Sequence, residues 1–321
     1  MGKTSVVWGI IGCGDVAEVK SGPAFQKCDN SELLAVMRRD KALAQDFAKR
    51  HNVPLWYSDV DKLLANQDIN AVYIATPPSS HLDFTIKALN AGKDVYLEKP
   101  MVLNKQEASK LITAVENSNN KLVVAHYRRF LPMYLKVKEL LDTHVIGRVS
   151  YVDITFLQPY NFNSKATWRL DKEVSGGGYF HDIGPHQIDL MYHFFGYYDS
   201  VKGIAVNQTK RHEVDDMING VISFKSGVQF RGIWSFDIAE ALEKDSCKIY
   251  GENGVMEFSF YEDKLVVKSK ALTKTFDFDN PINIQHPMIQ QTVNYFLGKR
   301  DNPCAAKEGL AVTSIMDAFT V

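Results

Sequence analysis

The first 125 residues alternate short apolar runs with stretches of helical spacing, and this alternation constrains the fold more than any other feature. The runs that read as strands are Val6–Ile11, Leu33–Met37, Ala71–Ala75, Val95–Leu97 and Leu122–Ala125. The helical stretches between them begin at about Val16 and continue with Ala42–His51, His81–Ala91 and Lys105–Asn117. Strands that alternate with helices form a parallel sheet with helices on both faces. The sequence therefore predicts a doubly wound α/β domain over residues 1–125.

The pattern changes after residue 125. One more helical stretch, Met133–Leu141, is followed by β-rich runs that glycine turns separate. These runs are Val149–Leu157, Val201–Asn207, Gly220–Phe224, Val228–Phe236, Ser246–Tyr250, Val255–Phe260 and Lys264–Lys268. Closely spaced strands joined by turns form a mostly antiparallel sheet. We predict an α+β domain over residues 126–321 with a large open sheet, whose last helices, Met288–Leu297 and Glu308–Ala318, can pack back on the first domain.

A glycine loop follows the first predicted strand and opens a helix, in the order Gly12-Cys13-Gly14-Asp15-Val16-Ala17. The first glycine permits the tight turn, the second lets the backbone approach a pyrophosphate, and the small Ala17 allows close helix–strand packing. The helix N-terminus adds a partial positive charge. This arrangement predicts a dinucleotide site, and a glycine-rich turn without a ligand is the alternative interpretation. The residues expected at the phosphates are Gly12, Gly14, Asp15 and Val16.

The end of the second strand, Met37-Arg38-Arg39-Asp40, indicates which dinucleotide is preferred. A site for NAD usually places a carboxylate here to hold the ribose 2′-hydroxyl. Two guanidinium groups instead suit the 2′-phosphate of NADP, and Asp40 lies late for the usual ribose contact. The sequence favours NADP over NAD, with Arg38 and Arg39 at the phosphate. Arginines that merely point into solvent are the alternative.

Two polar motifs supply groups that can move a proton. Glu98-Lys99-Pro100 follows a predicted strand, and Gly176-Gly177-Gly178 leads to Asp182 and His186. A histidine with an ordinary pKa of about 6.5 can take a hydroxyl proton as hydride leaves carbon, and a lysine cation stabilises the developing alkoxide. Asp182 and His186 share a face if one helix carries both, and Pro185 predicts that this helix starts near it or bends there.

Further polar residues are candidates for binding. Thr76 and Pro77 end a strand at the carboxyl edge of the predicted sheet, so we expect them and His81 to line the dinucleotide site. A contact at the start of a helix is the alternative for His81. Aromatic and guanidinium groups can stack on or hydrogen-bond to a sugar ring, although Arg129 and Trp168 could equally brace the domain interface. The substrate-side candidates are Tyr127, Arg128, Tyr160, Trp168 and Arg169.

Composition and charge argue against several classes of protein. The net charge is −1 and no long block of like charges occurs, so we expect no nucleic acid and no membrane as partner. Four scattered cysteines without a CxxC pair argue against a zinc site and a disulfide framework, and we expect no metal. No apolar run is long enough to span a bilayer, and the N-terminus lacks the pattern of a signal peptide. A cytoplasmic protein is the default expectation.

The chain resembles the glucose–fructose oxidoreductase / inositol dehydrogenase / rhizopine-catabolism (Gfo/Idh/MocA) family over nearly its whole length. The motifs that carry the resemblance are the loop Gly12–Ala17, Thr76-Pro77-Pro78-Ser79-Ser80-His81, Glu98-Lys99-Pro100, Arg128-Arg129-Phe130, Trp168-Arg169, and the three glycines that lead to Asp182, His186 and Asp189. It implies a Rossmann domain followed by an α/β domain with a large open sheet. It also implies Lys99 and His186 against the nicotinamide with Asp182 as companion, Glu98 at the cofactor ribose, and a cis Lys99–Pro100 bond.

The expected function is that of an NAD(P)-dependent oxidoreductase. Hydride would move between nicotinamide and a CH–OH/C=O group of a sugar, polyol or related small molecule, with Lys99, His186 and Asp182 handling the proton. The resemblance leaves open a glycosidase that retains NAD, a non-enzymatic dinucleotide-binding regulator and a trans-dihydrodiol-type dehydrogenase. Because the predicted open sheet has one face to cover, we expect a homodimer or homotetramer formed through it.

Overall fold

Each of the two units into which the chain divides contains its own β-sheet. The computed structural model describes residues 4–160, 167–270 and 273–320. The first unit comprises Met1–Arg128 and Pro281–Thr313, and the second comprises Arg129–Asn280 and Ser314–Val321. The chain thus returns to the first unit after residue 280, and we call Pro281–Thr313 the return segment.

A six-stranded parallel sheet forms the centre of the first unit. Its strands are Val6–Ile11 (β1), Ser31–Met37 (β2), Leu55–Tyr57 (β3), Ala71–Ile74 (β4), Asp94–Leu97 (β5) and Leu122–Val124 (β6). The spatial order is β3-β2-β1-β4-β5-β6, so the direction of winding reverses between β1 and β4. Ligands of such sheets bind beyond the carboxyl ends of the strands at this reversal. The loops that follow β1, β2, β4 and β5 therefore meet at one edge.

Helices surround this sheet and continue into the second unit. Among the described residues the α-helices are Gly22–Phe25 (α1), Lys41–Arg50 (α2), Val60–Leu64 (α3), His81–Asn90 (α4), Lys105–Glu116 (α5), Pro132–Asp142 (α6), Lys172–Ser175 (α7), Tyr179–Phe195 (α8), His286–Phe296 (α9) and Ala306–Thr320 (α10). A π-helix, Ala17–Ser21, directly precedes α1. None of the described helices is both long and apolar enough to cross a bilayer.

Aromatic side chains fill the core of the first unit on the face of the sheet where α1 and α9 pack. Trp8 of β1 is fully buried, with its ring 4.8 Å from that of Phe25 and 5.6 Å from that of Phe296. Tyr73 and Tyr96, on neighbouring strands, stack at 5.3 Å. Because Phe296 lies in α9, the return segment completes this core. Burying each such side chain stabilises the fold by about 1.5–3 kcal/mol.

The second unit contains an eight-stranded sheet. Its strands are Val149–Leu157 (β7), Tyr198–Val206 (β8), Met217–Phe224 (β9), Gln229–Ser235 (β10), Lys244–Gly251 (β11), Gly254–Phe258 (β12), Lys264–Ser269 (β13) and Thr273–Asp277 (β14). The order is β14-β13-β12-β11-β7-β10-β9-β8, and every pair is antiparallel except β7 with β10. The predicted fold class, a doubly wound parallel sheet followed by a mostly antiparallel open sheet, is confirmed.

Helix α8 packs on one face of the second sheet. Phe180 of α8 lies 5.0 Å from the ring of Trp234 on β10, and the indole N–H of Trp234 donates to Gln187 of α8. Phe319 of α10 adds to this cluster, 5.9 Å from Trp234. Gly220 is needed on β9, because a Cβ there would lie 2.3 Å from the ring of Phe319.

One prediction about α8 needs correction. The sequence left open a helix that starts near Pro185 or one that bends there. The first alternative is wrong, because α8 begins six residues earlier, at Tyr179, and includes this proline; the bend stays a prediction. Proline lacks the N–H that would bond to the carbonyl of residue 181, which costs the helix one hydrogen bond. Packing of the flanking residues outweighs that loss, since every residue from 184 to 192 is buried.

Candidate active site

The glycine loop after β1 makes a tight turn against the residues that follow β4. Gly12 has a φ of +93°, and a Cβ on it would lie 2.9 Å from the backbone nitrogen of Thr76. Only glycine fits that conformation and that contact. A Cβ on Gly14 would meet nothing within 4 Å, so the backbone here is open to a ligand. Asp15 is exposed and Val16 is half-buried at the start of the following helical turn.

The arginines after β2 differ in their surroundings. Arg38 is half-buried, and its Nη1 donates to the carbonyl oxygen of Cys13 in the glycine loop at 3.4 Å. Arg39 is exposed. The carboxylate of Asp40 accepts from the backbone N–H of Leu43 at 3.0 Å and so caps the N-terminus of α2. This cap occupies the first acidic side chain that follows β2.

His81 connects two of the loops at the carboxyl edge. It is 1% exposed, with Nε2 2.8 Å from the carbonyl oxygen of Thr76 and Nδ1 2.9 Å from that of Pro100. Burial lowers the pKa of His81, while the carbonyl contacts oppose that shift. Thr76 and Pro77 are half-buried beside it. The histidine therefore fixes the loop after β4 against the loop after β5.

Glu98 ends β5 in a buried hydrogen-bond network. Its carboxylate is 6% exposed, and Oε1 accepts from the Tyr73 hydroxyl at 2.5 Å and from Nε2 of Gln285 at 2.6 Å. The other oxygen, Oε2, accepts from the backbone N–H of Lys99 at 3.1 Å. Burial, followed by the charge of Glu98, raises the pKa of Tyr73 well above its ordinary value. Glu98 thus holds the backbone of the half-buried Lys99. The peptide bond between Lys99 and Pro100 is cis, as the family resemblance implied.

Two substrate-side candidates of the first unit are buried. Tyr127 and Arg128 lie in the 3₁₀ turn that follows β6 and are 4% and 5% exposed. The guanidinium group of Arg128 is 5.9 Å from the centre of the Tyr127 ring, within reach of a cation–π interaction.

Helix α8 of the second unit holds the predicted acid–base residues. Asp182 and His186 are one turn apart on this helix, as their spacing predicted. Oδ2 of Asp182 accepts from Nε of Arg169 at 2.7 Å, and both side chains are about one-third exposed or less, at 32% and 27%. The Arg169 guanidinium lies 4.7 Å from the centre of the Trp168 ring. His186 is 6% exposed.

The remaining substrate-side candidate, Tyr160, also lies in the second unit. Its ring stacks on that of His212 at 5.8 Å, and the guanidinium group of Arg211 is 5.3 Å from its centre. The described residues contain no group of three His, Cys, Asp or Glu side chains placed to bind a metal ion.

Hydrogen bonds that the sequence did not predict involve residues near the candidate groups of each unit. Gln285, 187 positions after Glu98, had no local signal that would reveal it. Arg129 was expected at the substrate or as a brace, and Asp189 in a structural role, but their pairing was not predicted. Their side chains, 2% and 1% exposed, form a two-pronged ion pair with distances of 2.6 and 2.9 Å. The opposite charges of these two residues, each inside a motif, were the available sign of the ion pair.

The three glycines before α8 make room for their neighbours. Gly178 has a φ of +80°, and a Cβ there would lie 2.5 Å from a methyl group of Val214. A Cβ on Gly177 would lie 2.3 Å from the imidazole of His181, which is 5% exposed. Burial lowers the pKa of His181 to about 4.

We expect acid to destabilise the fold through His181. The unfolded chain binds a proton on this histidine near pH 6.5, and the folded chain does so only near 4. The contribution of the neutral His181 to the free energy of unfolding is therefore complete above about pH 6.5. It disappears as the pH falls toward 4, a loss of about 3 kcal/mol. Urea unfolding at about pH 7.5 and about pH 5 should show about 2 kcal/mol of this loss. The variant His181→Asn should show a smaller loss between these two values.

The exposed histidine His144 offers a matched control. It has a φ of +53°, a conformation that asparagine also tolerates, so His144→Asn should keep the wild-type dependence on pH. An equal loss of stability in wild type and His181→Asn would contradict the assignment.

Comparisons with known proteins agree with this architecture. A model of the oxidoreductase family with an NAD-binding Rossmann fold (GFO_IDH_MocA) matches residues 6–126, and the GFO/IDH/MocA C-terminal domain matches residues 134–257. The chain is 51% identical to "Oxidoreductase P35" of Formosa agariphila over 321 residues, 99% of each chain. It is 25% identical to the trans-1,2-dihydrobenzene-1,2-diol dehydrogenase of Xenopus laevis, covering 97% of this chain and 96% of that one. Levoglucosan dehydrogenase in complex with NADH and levoglucosan superposes with a TM-score of 0.87 at 22% identity, over 98% and 96% of the two chains.

Proposed function

Because the chain belongs to the Gfo/Idh/MocA family of oxidoreductases, we propose that it is an NADP-dependent dehydrogenase or reductase for a sugar, polyol or related small molecule. The observation that carries the proposal is the placing of an open glycine loop and the Glu98–Lys99 turn at one edge of a parallel sheet. The nicotinamide would supply the hydride acceptor or donor. The residues of the chain would bind the dinucleotide, orient the substrate and move the proton.

The preference for NADP is supported by the surroundings of β2. Arg38 already lies against the glycine loop, so a 2′-phosphate beside that loop would meet a guanidinium group. Arg39 is exposed and free to move toward the same phosphate. Asp40 caps α2, and a carboxylate engaged in that way is a poor partner for a ribose hydroxyl. Charge-assisted hydrogen bonds to phosphate are roughly twice as strong as neutral ones.

We propose that Lys99, His186 and Asp182 handle the proton. In the oxidation direction, His186 would accept the proton of the substrate hydroxyl while the C–H bond of the same carbon gives its hydride to the nicotinamide. The ammonium group of Lys99 would stabilise the negative charge that develops on the oxygen. Asp182, paired with Arg169, would orient the histidine or the substrate. In reduction the same groups would act in reverse.

An aromatic dihydrodiol is the second candidate substrate. The observation that favours it is the full-length similarity to the trans-1,2-dihydrobenzene-1,2-diol dehydrogenase of Xenopus laevis. Both substrate classes carry the CH–OH group that the proposed chemistry needs. A glycosidase that retains its NAD, and a regulator without activity, are the competing outcomes of the experiments below.

We expect the purified protein to bind NADPH about 10–100-fold more tightly than NADH, since hydrogen bonds to charged groups contribute about 1.5–3 kcal/mol. Fluorescence titration with the two dinucleotides measures the ratio, after a check for nucleotide that co-purifies. Replacing both arginines, as Arg38→Leu with Arg39→Leu, should reduce the ratio to near one. The variant Arg148→Leu removes an exposed arginine of the second unit and should leave the ratio unchanged. An equal preference in wild type would overturn the NADP assignment.

A substrate panel then tests the reaction. Levoglucosan, common aldoses, inositol and trans-1,2-dihydrobenzene-1,2-diol are each incubated with the preferred oxidised dinucleotide, and the absorbance of the reduced form is followed. Reduction of the dinucleotide by a sugar or polyol supports the first candidate substrate class. Reduction of the dinucleotide by the diol alone supports the second. Release of phenol from an aryl glycoside without added dinucleotide would identify the retained-cofactor hydrolase instead. No reaction, with dinucleotide bound, would favour the regulator.

We also propose a homodimer or homotetramer formed through the outer face of the second sheet. Apolar side chains on that face are exposed, including Ile204 at 67% and Val221 at 50%. Tyr151 and Tyr250 stack beside them at 5.6 Å on β7 and β11. Covering such a surface with a second copy removes apolar area from water. Sedimentation velocity should therefore show an oligomer, and a monomer at micromolar concentration would contradict the proposal.

A further inference from the structure

Gln285 of the return segment makes hydrogen bonds to three separate parts of the first unit. Its side chain is 1% exposed, and Nε2 donates to Oε1 of Glu98 at 2.6 Å. Its Oε1 accepts from the hydroxyl of Tyr96 at 3.1 Å. Its backbone N–H donates to the carbonyl oxygen of Lys20 at 3.3 Å. One residue thus touches the end of β5, its interior and the helical turn that follows the glycine loop.

That helical turn is the π-helix Ala17–Ser21. Single π-turns occur often at functional sites, because they release backbone groups from the regular helical pattern. Here the carbonyl oxygen of Lys20 accepts from Gln285, and that of Val19 accepts from Nδ2 of Asn283 at 2.9 Å. Ser21, the last residue of the π-helix, donates to the Tyr73 hydroxyl at 3.2 Å. The π-turn is therefore attached to the return segment and to the network of Glu98.

The carboxylate of Glu98 depends on these donors. A buried carboxylate is tolerated when hydrogen bonds replace its lost hydration, and leaving one oxygen unsatisfied is costly. Tyr73 and Gln285 share Oε1, while Oε2 accepts from the Lys99 backbone. If Gln285 lost its donor, Oε1 would keep only the Tyr73 hydroxyl, and the carboxylate of Glu98 would be less firmly held in its present orientation. The hydrogen bond to the Lys99 backbone would change with it.

We infer that Gln285 is a positioning residue that fixes Glu98, and through it the Lys99 backbone, relative to the turn that follows the glycine loop. This inference rests on the proposed function insofar as Lys99 has a role in the reaction. The link itself is a property of the first unit alone. It can therefore be measured without a substrate, and its failure can be distinguished from a failure of the proposed chemistry.

The variant Gln285→Glu tests the link through pH. It places a second carboxyl group 2.6 Å from Glu98, and two buried carboxylates that close cannot both ionise. At low pH the two carboxyl groups therefore share a proton, which restores a hydrogen bond between them. The pair loses this proton as the pH rises through a pKa above the ordinary value of about 4.3 for glutamate. The other titratable groups around this pair are Tyr73, Tyr96, His81 and Lys99.

The readout is the backbone amide of Lys99, which donates directly to Glu98. Protein labelled with [15N]lysine gives amide cross-peaks, and the peak absent from Lys99→Met belongs to Lys99. In Gln285→Glu we expect this peak to titrate between about pH 5 and 8, beyond any change seen in wild type. The variant Gln290→Glu makes the same substitution on α9, where Gln290 accepts instead from the backbone of Asp29 at 2.8 Å. Its Lys99 peak should follow wild type.

A second variant keeps the test decisive if Gln285→Glu does not fold. Gln285→Leu removes the donor without adding a charge, so the Lys99 peak should be displaced at every pH, several times further than in Gln290→Glu. A Lys99 peak that matches wild type in the folded Gln285 variants would overturn the inference. Loss of turnover in Lys99→Met with such unchanged peaks would leave the proposed function standing and remove Gln285 from it. Full turnover in Lys99→Met would remove the proposed role of Lys99 and, with it, the part of the inference that concerns the reaction.

Discussion

Replacing Lys99 with methionine is expected to lower turnover by about a hundredfold to a thousandfold, because one positioned donor at a developing negative charge contributes about 10²–10³ to a rate. Methionine keeps an unbranched side chain of similar length but has neither the charge nor a donor. Glu98 bonds to the backbone of residue 99, so the substitution leaves that hydrogen bond possible. We therefore expect the dissociation constant for NADPH to stay within about threefold of wild type.

Steady-state kinetics with the best substrate of the panel, and fluorescence titration of NADPH, measure the two quantities. The control variant is Lys87→Met, which removes an exposed lysine of α4 that pairs with Asp61 and Asp83. It should retain wild-type turnover. If Lys99→Met keeps turnover within a factor of a few, the proposed role of this lysine is wrong. A parallel loss of turnover and of NADPH binding would instead indicate that the dinucleotide site itself was damaged.

Most strands of the two sheets were predictable because they carry strong local signals. Val6–Ile11 and Val149–Leu157 were predicted with the bounds that the structure has, since apolar and β-branched residues fill them. Strands β3 and β14 were not predicted. Leu55–Tyr57 has three residues, and Thr273–Asp277 is a mostly polar edge strand, so neither contains a recognisable apolar run. Periodicity reveals buried strands better than short or exposed ones.

The candidate site was predictable only where one motif contains the chemistry. The glycine loop, the Glu98–Lys99 turn and the spacing of Asp182 and His186 are local patterns, and the structure places each on the expected element. Gln285 and Asn283 could not be found in this way, since their partners are more than 180 residues away in sequence. Hydrogen bonds of that separation depend on how the return segment packs, which no short window of sequence encodes.

The ion pair between Arg129 and Asp189 gives the second large expected effect, on stability. Replacing Asp189 with leucine should lower the free energy of unfolding by about 3–5 kcal/mol, because it leaves a buried guanidinium charge without its carboxylate. The two side chains are 2% and 1% exposed, so water cannot replace the lost partner. Urea unfolding at neutral pH, followed by circular dichroism, measures the change.

A double replacement distinguishes the effect of losing the ion pair from the effect of leaving the Arg129 charge without the Asp189 carboxylate. Buried ion pairs that are exchanged for apolar residues are often neutral or stabilising, so Arg129→Met with Asp189→Leu should recover most of the stability that Asp189→Leu loses. The exposed pair of Arg148 and Glu252, at 71% and 51%, is the matched control, and Glu252→Leu should change the free energy of unfolding by less than about 1 kcal/mol. Equal losses in Asp189→Leu and the double variant would mean that packing of the aspartate, and not an uncompensated charge, holds this part of α8.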